Sequence, residues 1–192
     1  MNTLLRLNIL EAIHEDGQGD IGLSLAMVDL MSALYLGELL KYDVAKPQWE
    51  GRDYVIVSSR AAWPAHFVCL KEAGFAVGSF SWAKNVAKIP GVEIGMAYSG
   101  HGISVGLGVA RSLKASKKEN KVYVFLDDDD LKAGTTWEAA MEAAHERLDN
   151  LIVIASHSAA AKLNPLQDKF EAFEWNVKKL LSGHDENEIL DA

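Results

Sequence analysis

Cysteine is almost absent from this chain of 192 residues. The only one, Cys69, cannot close an internal disulfide, which argues against a small secreted domain stapled by such bridges. It lies within an apolar helical pattern and reads as a core residue. Positive charge is also scarce: 19 Lys and Arg stand against 27 Asp and Glu, a net charge of −8. That balance argues against a nucleic-acid partner, which needs a basic face, and against an anionic membrane surface. No apolar run approaches the ~20 residues of a membrane span, and the N-terminus lacks the layout of a signal peptide, so a cytoplasmic location is expected. There is no Walker loop, no dinucleotide fingerprint and no nucleophile elbow. His14, His66, His157 and His184 show no metal-ligand spacing with cysteine or with one another.

The rest is ordinary for a globular chain: 49% of residues are apolar and 24% charged, in a length that suits a single domain spanning residues 1–192 with a sizeable core. Leu4 to Ile13 reads as a helix ending near Asp16-Gly17, and Ser24 opens a second helix, Leu25 to Leu40, apolar around most of its circumference. Tyr54 to Ser58 is a β-branched strand, followed by a helix from Pro64 to Ala73 with proline at its start, where it is tolerated. Gly78 to Lys88 suits a short helix. Ser99-Gly100-His101-Gly102 leads into a helix from Ile103 to Leu113, and strands are expected at Val122 to Leu126, Leu151 to Ser156 and Trp175 to Leu181. Helical segments at Pro165 to Phe173 and Asp185 to Leu190 complete the chain. Helices and apolar strands alternate, which implies an α/β fold: a parallel sheet of about five strands with helices on both faces.

The stretch Lys121 to Met141 is the chemical centre of the sequence. After the strand come four aspartates, Asp127 to Asp130, then a turn at Ala133-Gly134, with Thr135 or Thr136 placed to cap a helix opening at Trp137. In an open α/β sheet, ligands sit beyond the carboxyl ends of the strands. Carboxylates there suit a hard cation such as Mg²⁺ or Ca²⁺. A solvated acidic turn accounts for the same residues.

The order of motifs resembles one family, the N-terminal, diphosphate-binding half of transketolases, and in particular the split enzymes whose halves are separate chains. The resemblance rests on Arg52-Asp53-Tyr54-Val55-Ile56-Val57-Ser58 with Pro64-Ala65; on Gly91-Val92-Glu93 with Gly100-His101-Gly102-Ile103-Ser104-Val105; on Trp137-Glu138-Ala139 with Ala143-Ala144-His145 and Leu148-Asp149-Asn150-Leu151-Ile152; and on Pro165-Leu166, Asp168-Lys169-Phe170, Ala172-Phe173, Trp175-Asn176-Val177 and Gly183-His184-Asp185. It implies a thiamin-diphosphate-binding fold, with thiamine diphosphate and Mg²⁺ (or Ca²⁺) as cofactors. It also implies a homo-oligomer or a complex with a C-terminal transketolase half that holds the pyrimidine ring. The substrate would be a small sugar phosphate or 2-oxo compound in ketol or acyl transfer.

By the same resemblance His101 and Glu138 are the catalytic candidates, and Gly100, His101, Gly102, Asp128 and Asp129 face the cofactor. Asp128, Ser158 and the Ala160 carbonyl are the candidate metal ligands. The resemblance places the helix bearing Glu138 and His145 near a subunit interface. The chain departs from the family pattern at several of these places. The family's Gly-Asp-Gly falls at Asp127, Asp128 and Asp129, its two loop histidines at Gln18 and Ala61, its inter-subunit glutamate at Ala133 and its metal-binding asparagine at Ser158. The segment after Ser158 and the C-terminus are shorter than the pattern. Two added carboxylates ~6 Å from an anion would each cost roughly 2–3 kcal/mol at an effective dielectric near 20. The expectation is therefore either a subunit that binds the diphosphate and a metal, or a catalytically silent, partner-binding relative.

Overall fold

The computed structural model describes residues 2–81, 88–95, 99–158 and 163–192. The chain divides into two compact units. One comprises Asp53–Arg60 and Met96–Lys179 and carries the sheet; the other comprises Met1–Arg52, Ala61–Gly95 and Leu180–Ala192 and is helical.

The sheet unit has three parallel strands in the order β1-β2-β3: β1 (Tyr54–Val57), β2 (Val122–Leu126) and β3 (Leu151–Ala155). Every residue of the central β2 is buried, as its unbroken apolar run requires of a strand covered on both faces. Tyr54 pairs with Val122, and Leu126 pairs with Ala155 at the far end. Helices α4 (Gly102–Ala115), α5 (Asp128–Lys132), α6 (Gly134–His145) and α7 (Leu166–Glu171) complete this unit. Ile56, Ile103, Ala110, Val124, Leu126, Leu131, Ala140 and Phe170 belong to one buried cluster. Arg111 on α4 reaches Glu142 and Glu146, and Lys114 reaches Asp149, so the outer sides of α4 and α6 are laced by ion pairs.

The parallel α/β class is as expected, but the strand number is lower: the described residues contain three strands, not five. Trp175 to Leu181 does not pair as a strand. Trp175 instead packs on a helix, its Nε1 donating to the Ala140 carbonyl (3.0 Å) and its ring lying edge-on to Phe170 at 5.7 Å, while Leu181 is exposed. The expected helix from Gly78 to Lys88 falls largely outside the described residues. α6 also starts earlier than expected. Ala133 is its N-cap residue, and the two threonines serve elsewhere: Thr135 donates to the Gly100 carbonyl (2.8 Å) and Thr136 to the Asp130 carbonyl (2.6 Å).

In the helical unit α1 (Asn2–Asp16), α2 (Ile21–Leu36) and α3 (Trp63–Glu72) pack together, with α8 (Glu186–Asp191) against α2. α2 is capped by Asp20, whose carboxylate accepts from Leu23 N at 2.8 Å, and not by Ser24, whose hydroxyl donates to the Ala61 carbonyl. Met27 to Tyr35 is buried throughout, matching the apolar circumference of that helix. The buried Asp29 is held by Arg6 and by His184 Nδ1 (2.6 Å). Tyr35 Oη and His66 Nε2 meet at 2.9 Å inside this unit; burial pushes the His66 imidazole down to about 4 and the neighbouring Cys69 thiol up. None of the described helices is long and apolar enough to cross a membrane.

Candidate functional site

The carboxyl ends of β1, β2 and β3 and the start of α4 meet in the sheet unit, and the four aspartates following β2 have four different environments there. Asp127 is buried and extended. Its carboxylate accepts the N–H groups of Asp129 (2.9 Å) and Asp130 (2.8 Å), while the Asp130 carboxylate accepts Asp127 N (3.0 Å). This reciprocal capping box turns the expected acidic loop into the short helix α5. Asp127 as N-cap and Asp130 at the third helical position are thereby joined, each carboxylate accepting the other's N–H. Asp129 is rotated outward, its side chain 72% exposed and paired with Lys132.

Asp130 is the hub. It is fully buried, and its Oδ1 accepts both the Ser58 hydroxyl and Gly100 N, each at 2.6 Å. Ser58 Oγ in turn accepts Gly102 N at 3.1 Å. One carboxylate thus ties the end of β1, the glycine loop before α4 and the turn after β2. Burial raises the Asp130 pKa, the donated hydrogen bonds lower it, and the Asp127 charge adds a further raise; the balance is upward. The glycines are required here. Gly100 has φ +84°, and a Cβ on it would lie 2.3 Å from Ala133 Cβ; on Gly102 it would lie 2.3 Å from Ser58 Cβ.

Asp128 faces β3. Its Oδ1 lies 2.7 Å from His157 Nδ1, and Ser158 N lies 3.3 Å from both carboxylate oxygens. Since a carboxylate only accepts, His157 Nδ1 is the donor. His157 Nε2 lies 2.9 Å from Asn164 Oδ1. The Leu126–Ala155 pairing puts the residues after each strand side by side, so Asp128 and His157 meet although 29 positions apart.

The predicted site residues therefore separate. Asp128 and Ser158 come together, and Gly100 and Gly102 join the same end of the sheet through Asp130 and Ser58. The Asp129 carboxylate turns to Lys132. His101 is exposed at the N-cap position of α4, its Nδ1 3.3 Å from the Ser99 carbonyl. Glu138 and His145 are exposed on α6. Ala160 lies outside the described residues. Sequence reasoning missed Asp130 as the hub, Ser58 as its partner and His157 as the group on Asp128. A capping box was legible in the spacing of Asp127 and Asp130, and His157 in its place directly beyond a strand parallel to β2.

A diphosphate at this end of the sheet needs open N–H groups. Those of Gly100, Gly102, Asp127, Asp129 and Asp130 are all donated to side chains of the chain itself. Among the described residues no group of three or more His, Cys, Asp or Glu is placed to hold a metal ion. Among the described residues, these five N–H groups are closed to a metal-bound diphosphate by the chain's own side chains.

The sequence profile of the transketolase thiamine diphosphate binding domain matches residues 1–192. Among curated proteins, the chain is similar to the 6-deoxy-6-sulfo-D-fructose transketolase subunit of Clostridium sp., at 29% identity over 98% of this chain and 75% of that protein. It is 32% identical to a transketolase family protein of Sinorhizobium fredii, over 98% and 74%, and 28% identical to an apulose-4-phosphate transketolase subunit of Phocaeicola vulgatus, over 91% and 69%. Among solved structures, the transketolase of Campylobacter jejuni superposes with a TM-score of 0.88 at 24% identity, and that of Leishmania mexicana with 0.87 at 23%. Each covers 99% of this chain, which spans 34% and 33% of those proteins; at such identities they establish the fold alone.

Proposed function

Since the chain belongs to the transketolase family, as its thiamine diphosphate binding domain, we propose that it is the diphosphate-side subunit of a two-chain transketolase-type assembly. The observation that carries this is the kind of relative it matches: it covers 75% and 69% of two proteins that are transketolase subunits by name. Its partner would be a separate chain equivalent to the C-terminal transketolase half, or a second copy of itself. The outward face of α6 supports such pairing: Met141 is 46% exposed there, and Glu138 and His145 share the surface.

Within that assembly, the geometry favours a partner-binding subunit that is silent in catalysis. The N–H groups of Gly100, Gly102, Asp129 and Asp130 are committed to Asp130, Ser58 and Asp127. A second reading, in which the subunit takes part in ketol or acyl transfer, is favoured by the meeting of Asp128 and Ser158. On that reading Asp128, Ser158 and Ala160 would hold Mg²⁺ or Ca²⁺. Gly100, His101, Gly102 and Asp129 would face thiamine diphosphate, His101 and Glu138 would be catalytic, and the substrate would be a sugar phosphate or 2-oxo compound.

The two readings separate on co-purification of the chain with a C-terminal transketolase half, with light scattering and a ketol-transfer assay on the pair. A stable pair without turnover is the expected result. Turnover by the pair would establish the second reading. A chain that stays monomeric at tens of micromolar with every such half offered would sink the assembly itself.

A further inference from the structure

We propose that the chain supplies its own substitutes for the cofactor: the Asp127 carboxylate takes the place of the diphosphate on the backbone donors, and the His157 N–H takes the place of the metal on Asp128. This deepens the silent reading above and rests on it. The family's cofactor is an anion, and anions at strand ends are held by converging N–H groups. In this chain the N–H groups of Asp129 and Asp130 converge on a single atom, Asp127 Oδ1, at 2.9 and 2.8 Å. A buried anion is therefore already present, covalently attached and close to its donors. A diphosphate would have to displace it and meet its charge at close range.

The cation side is arranged likewise. A carboxylate that ligates a hard cation turns its oxygens to the ion. Asp128 instead has Oδ1 on His157 Nδ1 at 2.7 Å and both oxygens 3.3 Å from Ser158 N. His157 is itself set by Asn164 at 2.9 Å, and Lys169 Nζ donates to the carbonyls of Leu163 (2.7 Å) and Pro165 (3.1 Å), fixing the turn that carries Asn164. Both halves of the arrangement are complete without any bound group. The consequence is a turn that folds independently of cofactor, unlike one in which the ligand supplies the missing partners.

The test compares the wild type with the double variant Asp127→Gly, His157→Asn, each alone and paired with a C-terminal half, by thermal unfolding with and without Mg²⁺ plus thiamine diphosphate. The wild type should show no rise in melting temperature with the cofactor. The double variant should melt several degrees lower on its own and regain about 6–10 °C with the cofactor at a hundredfold excess over its Kd. An equal rise in the wild type would overturn the proposal, as would a folded double variant that gains nothing. Should the double variant fail to fold, amide hydrogen exchange on the wild type decides. The Asp129 and Asp130 amides should be protected without the cofactor and unchanged by it; slower exchange on adding it would overturn the proposal. Light scattering on the same samples reads pairing separately, so loss of the assembly and binding of the cofactor are distinct outcomes.

Discussion

Asp130→Ala tests the hub at the sheet end against its neighbour Asp129→Ala, the same chemical change one position away. Asp130 is fully buried and accepts hydrogen bonds from Ser58 Oγ, Gly100 N and Asp127 N at 2.6, 2.6 and 3.0 Å. Its removal strands three donors, each at about 1–3 kcal/mol when left buried and unpaired. Burial of the charge works the other way, as the raised Asp130 pKa indicates, so the net loss lies toward the low end, about 3–4 kcal/mol. Against a typical total stability of about 5–15 kcal/mol, that is a large fraction. Asp129 is exposed and pairs with Lys132, and a surface pair of this kind contributes about 0.5 kcal/mol or less. In urea denaturation, with a slope near 2–3 kcal/mol/M, the Asp130→Ala midpoint should fall by about 1–2 M while Asp129→Ala barely moves. Two variants with the same midpoint would refute the assignment of Asp130 as the buried tie.

Further predictions concern the glycine that opens α4 and the helical unit. Gly102→Ala drives a methyl to within 2.3 Å of Ser58 Cβ and 2.6 Å of its Oγ, which should cost about 2–3 kcal/mol in thermal unfolding; a loss below about 0.5 kcal/mol would show that Ser58 can move aside. The His66 imidazole, held down to about 4 by burial, takes up its proton more readily unfolded, where its pKa is ~6.5. The stability linked to it is fully present above ~6.5 and is lost as pH falls toward 4, about 3 kcal/mol in all. His66→Gln should flatten that part of the stability–pH profile, and an unchanged slope would place the titration elsewhere.

Much of the fold could be read from the chain because its signals are local. The apolar run Val122–Leu126 could hardly be anything but a buried strand, and Pro64 marks the first turn of α3. The motifs around Gly100-His101-Gly102 and Trp137-Glu138-Ala139 carried the family, which the match over residues 1–192 establishes. Errors arose where a residue type served a partner distant in sequence. Ser24, Thr135 and Thr136 have the chemistry of helix caps, yet their hydroxyls bond to the carbonyls of Ala61, Gly100 and Asp130. The four aspartates are identical in sequence and distinct in space, because the turn of α5 sends Asp129 outward while Asp127 and Asp130 cap each other. His157 failed a search for metal-ligand spacing because what places it beside Asp128 is strand register, not proximity along the chain.

The most direct measurement is a crystal structure of the chain bound to a C-terminal transketolase half and grown with Mg²⁺ and thiamine diphosphate. The expected result has Asp127 still capping the Asp129 and Asp130 amides, His157 still on Asp128, and no diphosphate against the turn after β2. A diphosphate seated on those amides, with the Asp127 side chain turned out and a metal on Asp128, would contradict the substitution of the cofactor by the chain's own groups.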